Sequence, residues 1–210
     1  MEITIFDQVL LLLTGLVAVY LVFRFYQEMK DATTKPKYNI FYIISFAVLF
    51  VSGVLIIIFG FEVLERPCIK TVATILPFGL AIGLIYEFFK KLGVLYLIVM
   101  IVGLVLIGLQ SFGVFEAKII YPIFHAIAGL TIFIVPILAV SEKKAPGGFI
   151  WVTVGGALIG IGGIALAFLG AGKPLLGIFT AEVVFTILTP ILFLMSLGFA
   201  WGFMKKIKKA

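Results

Sequence analysis

The sequence predicts an all-α membrane protein, a seven-transmembrane-helix bundle with the amino terminus outside and the carboxyl terminus in the cytoplasm. Three observations carry this. Apolar residues fill 63% of 210 positions against 12% charged, with a mean hydropathy of +1.30; a water-soluble domain cannot hide that much apolar surface, so lipid is the solvent for most of it. The apolar runs approach the roughly twenty residues, at about 1.5 Å of rise each, that a bilayer crossing needs. Lysine and arginine gather in alternate joints.

The first span is expected over residues 8–25 and ends in RFYQEMKDATTKPKYN, where Lys35-Pro36-Lys37 breaks a helix. The second covers 40–61 and closes at FEVLERPCIK; the third, 71–89, carries Pro77 and Gly79 and stops at Lys90-Lys91. The fourth, 92–112, follows almost at once. After GVFEAK the fifth, 119–140, has Pro122 and Pro136 near its two ends, and SEKKAPGG is a turn. The sixth, 149–170, holds a glycine-rich run, and the seventh, 175–203, contains Pro190 and ends in MKKIKKA. A single polytopic membrane domain over 1–210 accounts for the whole sequence.

The joints after odd-numbered spans hold twelve basic residues: Arg24, Lys30, Lys35, Lys37, Lys90, Lys91, Lys143, Lys144, Lys205, Lys206, Lys208 and Lys209. The opposite side holds four, Arg66, Lys70, Lys118 and Lys173, together with the acidic start MEITIFD. The positive-inside rule then sets the orientation, and the net charge of +6 is a topology signal, giving no reason to expect nucleic acid. The start lacks the basic residues of a cleavable signal, so the first span is expected to stay attached. Fourteen lysines beside one asparagine and three glutamines lean toward a thermophilic source.

On a helix, Gly156, Gly160, Gly163, Ala167 and Gly170 share one face, a small-residue groove where a second helix can approach closely. A shift of 114 residues aligns Gly15-Leu16 with Gly129-Leu130 and Lys30 with Lys144, and brings Pro77 within one residue of Pro190. Spans one to three would then echo spans five to seven in a 3+1+3 parallel repeat. Equal spans with basic joints give such matches as well.

Ionisable groups inside a membrane are the default pointer to function. His125 lies six residues into span five, roughly 9 Å below its outer end by helical rise. Glu182 has comparable depth in span seven, with Lys70, Gln110 and Tyr121 on the same side. One reading joins these five in an outward pocket for a proton, a cation or a small polar ligand. The other leaves Glu182 and Lys70 in the headgroup layer, with His125 bonding one backbone carbonyl. Pro77, Pro136 and Pro190 each remove a helix hydrogen bond and are candidate hinges. Glu87 is expected to snorkel beside Lys90 and Lys91, and Trp151, Trp201, Tyr38, Tyr42 and Tyr86 to form an inner aromatic belt.

The span plan is similar to that of microbial rhodopsins, but VVFTILTPILFLMSLGF lacks the retinal-binding lysine. It is also similar to the small sugar transporters of the SWEET and PQ-loop class, whose proline-glutamine signature is absent. The chain carries neither family's motif. One cysteine, Cys68, and one histidine supply no internal disulfide, metal cluster or bis-histidine haem, and no catalytic constellation stands out. We therefore expect no enzyme, cofactor or metal. The leading expectation is a carrier or channel for a small solute or ion. The alternatives are an assembly subunit, packing its glycine stripe on a second copy or a partner membrane subunit, and a seven-helix ligand sensor.

Overall fold

The computed structural model describes residues 3–31, 35–117, 119–170 and 176–207, with the side chains of all but 166–168 and 170. Among the described residues seven helices are long and apolar enough to cross a membrane. They are α1 (Ile5–Lys30), α2 (Asn39–Phe59), α3 (Pro67–Phe88), α4 (Gly93–Ser111), α5 (Ile120–Ser141), α6 (Trp151–Gly170) and α7 (Ala181–Lys206). The chain is a multi-pass membrane protein with a seven-helix bundle. Lys118, Lys173, Lys208 and Lys209 of the charge tally lie outside the described residues.

Local chemistry sets the helix starts. α1 begins ahead of Gln8 because Thr4 and Asp7 form a capping box: the Asp7 amide donates to Thr4 Oγ1 at 3.1 Å and the Thr4 amide to Asp7 Oδ2 at 3.0 Å. Pro67 takes the first position of α3, where its missing N–H is no loss, so that helix starts before Thr71. α7 starts only at Ala181, where Thr180 accepts from the Val183 amide at 3.3 Å. Between α2 and α3, Gly60 turns the chain at φ 74°, and a 3-10 turn over Phe61–Glu65 buries Phe61 and Val63 beside Leu11 of α1 and Leu188 of α7.

The helices close into a ring. α1 packs on α2, α2 on α3, α3 on α5, α5 on α6, α6 on α7 and α7 back on α1, while α4 stands outside, mainly against α3. α4 accordingly leaves Val94, Leu95, Ile98, Ile101 and Val105 exposed, as a lipid-facing helix does. Exchanging α1–α3 with α5–α7 maps these adjacencies onto themselves, the arrangement that a 3+1+3 plan requires.

Glycines make the closest approaches. A Cβ at Gly198 would lie 3.2 Å from the Gly155 nitrogen and the Trp151 carbonyl oxygen, and one at Gly202 would lie 2.7 Å from the Val152 nitrogen. On α3, a Cβ at Gly79 would collide with Ser45, and one at Gly83 with the Tyr42 ring. The third helix of each triplet thus carries Gly-x-x-x-Gly and turns it toward the second. The glycine stripe of α6 is divided by comparison. Gly156 receives Ile132 of α5, Gly163 receives the His125 ring, and nothing stands within 4 Å of a Cβ at Gly160. Ala167 and Gly170 lie outside the described side chains.

The main core fills the lysine-rich half. Phe203 sits at its centre, with ring centroids 5.1 Å from Phe25, 4.9 Å from Tyr42, 6.0 Å from Phe46, 5.7 Å from Phe149 and 6.4 Å from Phe199. All six rings are buried. Edge-on and tilted pairs of this kind add to the stabilisation from burial.

Substitutions on α6 separate the two kinds of glycine. A Cβ at Gly155 would meet the Phe199 ring at 2.7 Å and the Met195 carbonyl oxygen at 3.0 Å. Gly155→Ala is therefore expected to destabilise the protein by about 1–3 kcal/mol through overpacking. Gly160→Ala, with open space around it, should be neutral or slightly stabilising through helix propensity. Thermal unfolding of both variants in one detergent checks the contrast.

Candidate functional site

In the lysine-poor half the ring encloses a cavity of about 740 Å³ to which all seven helices contribute. Its floor comes from the middle of the helices, with Leu49 and Pro77 on one side and Ile159 and Leu192 on the other. Its rim comes from the helix ends and the 3-10 turn: Glu65, Lys70, Gln110, Tyr121 and His125. A second cavity of about 570 Å³ shares Phe61, Glu65 and Phe185 with the first and includes exposed Glu62 and Arg66. The chamber is apolar below and polar above.

The rim residues form an ordered stack. Lys70 Nζ lies 5.0 Å from the Tyr121 ring centroid, and Tyr121 stacks on His125 with centroids 5.5 Å apart and planes at 25°. One helical turn separates Tyr121 from His125 on α5, so the stacking follows from their spacing. Gly163 of α6 makes room for the imidazole, because a Cβ there would collide with Nε2. His125 Nδ1 is buried and bonds no carbonyl or other group among the described residues. Among those residues no carboxylate pairs with Lys70 either.

Glu182 stands apart from this group. It is exposed on the first turn of α7 and does not line the cavity, although its neighbour Ala181 does. Glu65 supplies the rim carboxylate, and Thr14 and Ser52 add hydroxyls to the wall. Glu65 escapes a reading by spans because it belongs to a joint; the apolar residues Phe61, Val63 and Leu64 in that joint are the clue that it folds back. Thr14 already donates to the Leu10 carbonyl at 2.8 Å.

The three prolines occupy different surroundings. Pro77 lines the cavity, and its missing N–H leaves the Ala73 carbonyl, on the same wall, without its helical donor. Pro136 is buried in α5 towards the lysine-rich end. Pro190 follows Thr189, whose hydroxyl donates to Asp7 Oδ1 at 2.6 Å in the buried seam between α1 and α7. Asp7, which the sequence marks only as part of an acidic start, is thus a buried tie between the two triplets. The T-x-x-D of its capping box was the available signal.

At the opposite end Glu87 does not snorkel. It turns inward, where Lys206 of α7 bonds Oε1, the Tyr38 hydroxyl donates to Oε1 at 3.1 Å and the Tyr42 hydroxyl to Oε2 at 2.8 Å. Three donors within the bundle hold the carboxylate better than the membrane surface can, and both charged side chains are only 9% exposed. Lys206 Nζ also lies 5.6–6.0 Å from the rings of Tyr38, Tyr42, Phe149 and Phe203. Burial and the Glu87 carboxylate push the Tyr38 phenol well above its ordinary pKa, so it stays a donor. Tyr42, expected in an interfacial belt, is fully buried in this cluster, whereas Trp151 and Trp201 are 45% and 56% exposed.

Two outcomes are expected. Because the chain has a single histidine, the ultraviolet absorbance of the carbethoxylated imidazole that diethyl pyrocarbonate forms in tag-free protein reports on His125 alone; Gly163→Ala should displace the imidazole and speed the reaction. Glu87→Ala, which leaves Lys206 buried without its counter-ion, should cost about 3–5 kcal/mol, whereas the double change Glu87→Gln with Lys206→Met should cost less; thermal unfolding checks the order. No family model, no curated protein and no solved structure matches this chain.

Proposed function

We propose that the protein is a carrier for a small solute, working by alternating access between its two helix triplets. One observation carries the reading: a ring of six helices opens into a chamber in one half and is sealed in the other by the Phe203 cluster and the Glu87–Lys206 pair. The pair joins α3 of the first triplet to α7 of the second, and Tyr38 and Tyr42 of the first face Phe149 and Phe203 of the second. Breaking these contacts while closing the chamber would expose the same central site to the other side, which is what parallel repeats do in transporters. Pro77 and Pro190, on the third helix of each triplet, give both halves a place to bend.

The lysine tally orients this carrier in the cell membrane with the sealed end in the cytoplasm and the chamber facing outward. The assembly reading draws less support, since Gly156 and Gly163 already receive residues of α5. A sensor of the same plan would not require the two ends to open in turn.

Side-specific labelling tests the reading without knowledge of the solute. In a Cys68→Ser background, Ser52→Cys places one thiol on the chamber wall. In oriented vesicles an impermeant thiol reagent should label it from the lysine-poor side. Adding Glu87→Gln and Lys206→Met should open the sealed end and allow labelling from the lysine-rich side. Labelling confined to one side, with the latch intact or removed, would exclude alternating access.

A further inference from the structure

The chamber's polarity gradient points to the chemical class of its occupant. The upper wall is lined by residues that can donate: Lys70, Gln110 and Tyr121 share the same rim, with His125 beside them. Lys70 is the one cation lining this cavity among the described residues, and it is half-buried with no carboxylate partner. A lysine ammonium at a membrane cavity without a counter-ion is costly, and an aromatic face compensates only in part. Glu65, the rim's acid, is exposed and forms no ion pair with it. The floor is the opposite in character. Leu49, Leu76, Pro77, Ile159 and Leu192 offer no charge, and the two hydroxyls on the wall, Thr14 and Ser52, are neutral.

A cation at the rim over an apolar floor matches a molecule built the other way round. We propose that the chamber binds a small amphipathic monoanion, an apolar body ending in one carboxylate, with its head group on Lys70 and its body on the Leu49–Pro77–Ile159–Leu192 floor. At about 740 Å³ the chamber lies within the range, about 300–1,000 Å³, of pockets that enclose small organic ligands. A carboxylate head would complete the Lys70 ion pair and take further hydrogen bonds from Gln110 and Tyr121, each stronger for the charge it meets. An ammonium head would meet Lys70 as a like charge. An inorganic anion would leave the apolar floor to water. The inference rests on the carrier reading only in taking the chamber as the place where the solute sits.

Isothermal titration of the full chain in lipid nanodiscs tests it with four probes: hexanoate, 1-hexanol, hexylamine and acetate. Hexanoate should bind at least about tenfold more tightly than hexanol, the worth of one charge-assisted interaction, and hexylamine and acetate should not bind measurably. Lys70→Gln should weaken hexanoate by about tenfold while leaving hexanol unchanged, and Lys70→Arg should restore it. Glu65→Gln should leave hexanoate bound, since Glu65 is not part of the head-group site. Should oleate bind through Lys70 where hexanoate does not, the same chemistry would be served by a lipid-derived fatty acid. Hexylamine binding as well as hexanoate, or Lys70→Gln leaving hexanoate affinity unchanged, would overturn the proposal. The carrier reading is judged separately: it survives the loss of this proposal if Ser52→Cys still becomes accessible from both sides, and it fails alone if hexanoate binds through Lys70 while that thiol stays one-sided.

Discussion

The packing of Phe203 is the constraint on which the rest of the structure depends. Its ring is surrounded by Phe25 of α1, Tyr42 and Phe46 of α2, Phe199 of its own helix and Phe149 of the turn before α6. It therefore ties both triplets together at one level of the bundle. The backbone approach just beside it, where Gly198 and Gly202 meet α6, lets α7 sit deep enough to deliver that ring. A side chain at either glycine would push α7 outward and loosen the seal.

Closing one half so tightly determines what happens in the other. Six helices drawn together around aromatic rings at the lysine-rich end leave a space between them at the opposite end, where small residues such as Gly53, Ala73 and Gly163 line the wall. The 3-10 turn at Phe61–Glu65 narrows that space without filling it, because its buried residues pack on Leu11 and Leu188 at one side. The polar groups then fall where the helices end, on the rim, and the apolar mid-helix residues fall on the floor. The polarity gradient of the chamber is thus a consequence of where helix ends and helix middles meet the same void.

The two ends of the molecule also differ in how their charges are held. Glu87 and Lys206 share one buried site with two phenols, and each satisfies the other. Lys70, at the other end, has an aromatic neighbour and no ion-pair partner among the described residues. A pair of charges satisfied within the bundle holds together the two helices it bridges, whereas an unpaired charge at a cavity is left to solvent.

Seven spans were legible because lipid imposes one rule on every helix, a long run of apolar residues regardless of neighbours. His125, Tyr121, Lys70 and Gln110 could be grouped by depth alone, since position along a span is set by rise per residue. Depth says nothing of rotation about the helix axis, and so Glu182, at the right height, faces outward while Glu65, outside any span, reaches the rim. The same ambiguity hid the Glu87–Lys206 pair, whose members lie 119 residues apart, and the face of α7 on which Gly198 and Gly202 meet the backbone of α6. Hydropathy by itself determined the number and order of the helices. Only the tertiary structure decided which faces meet, because in a membrane protein both the interior and the surroundings are apolar and the sequence pattern does not distinguish them.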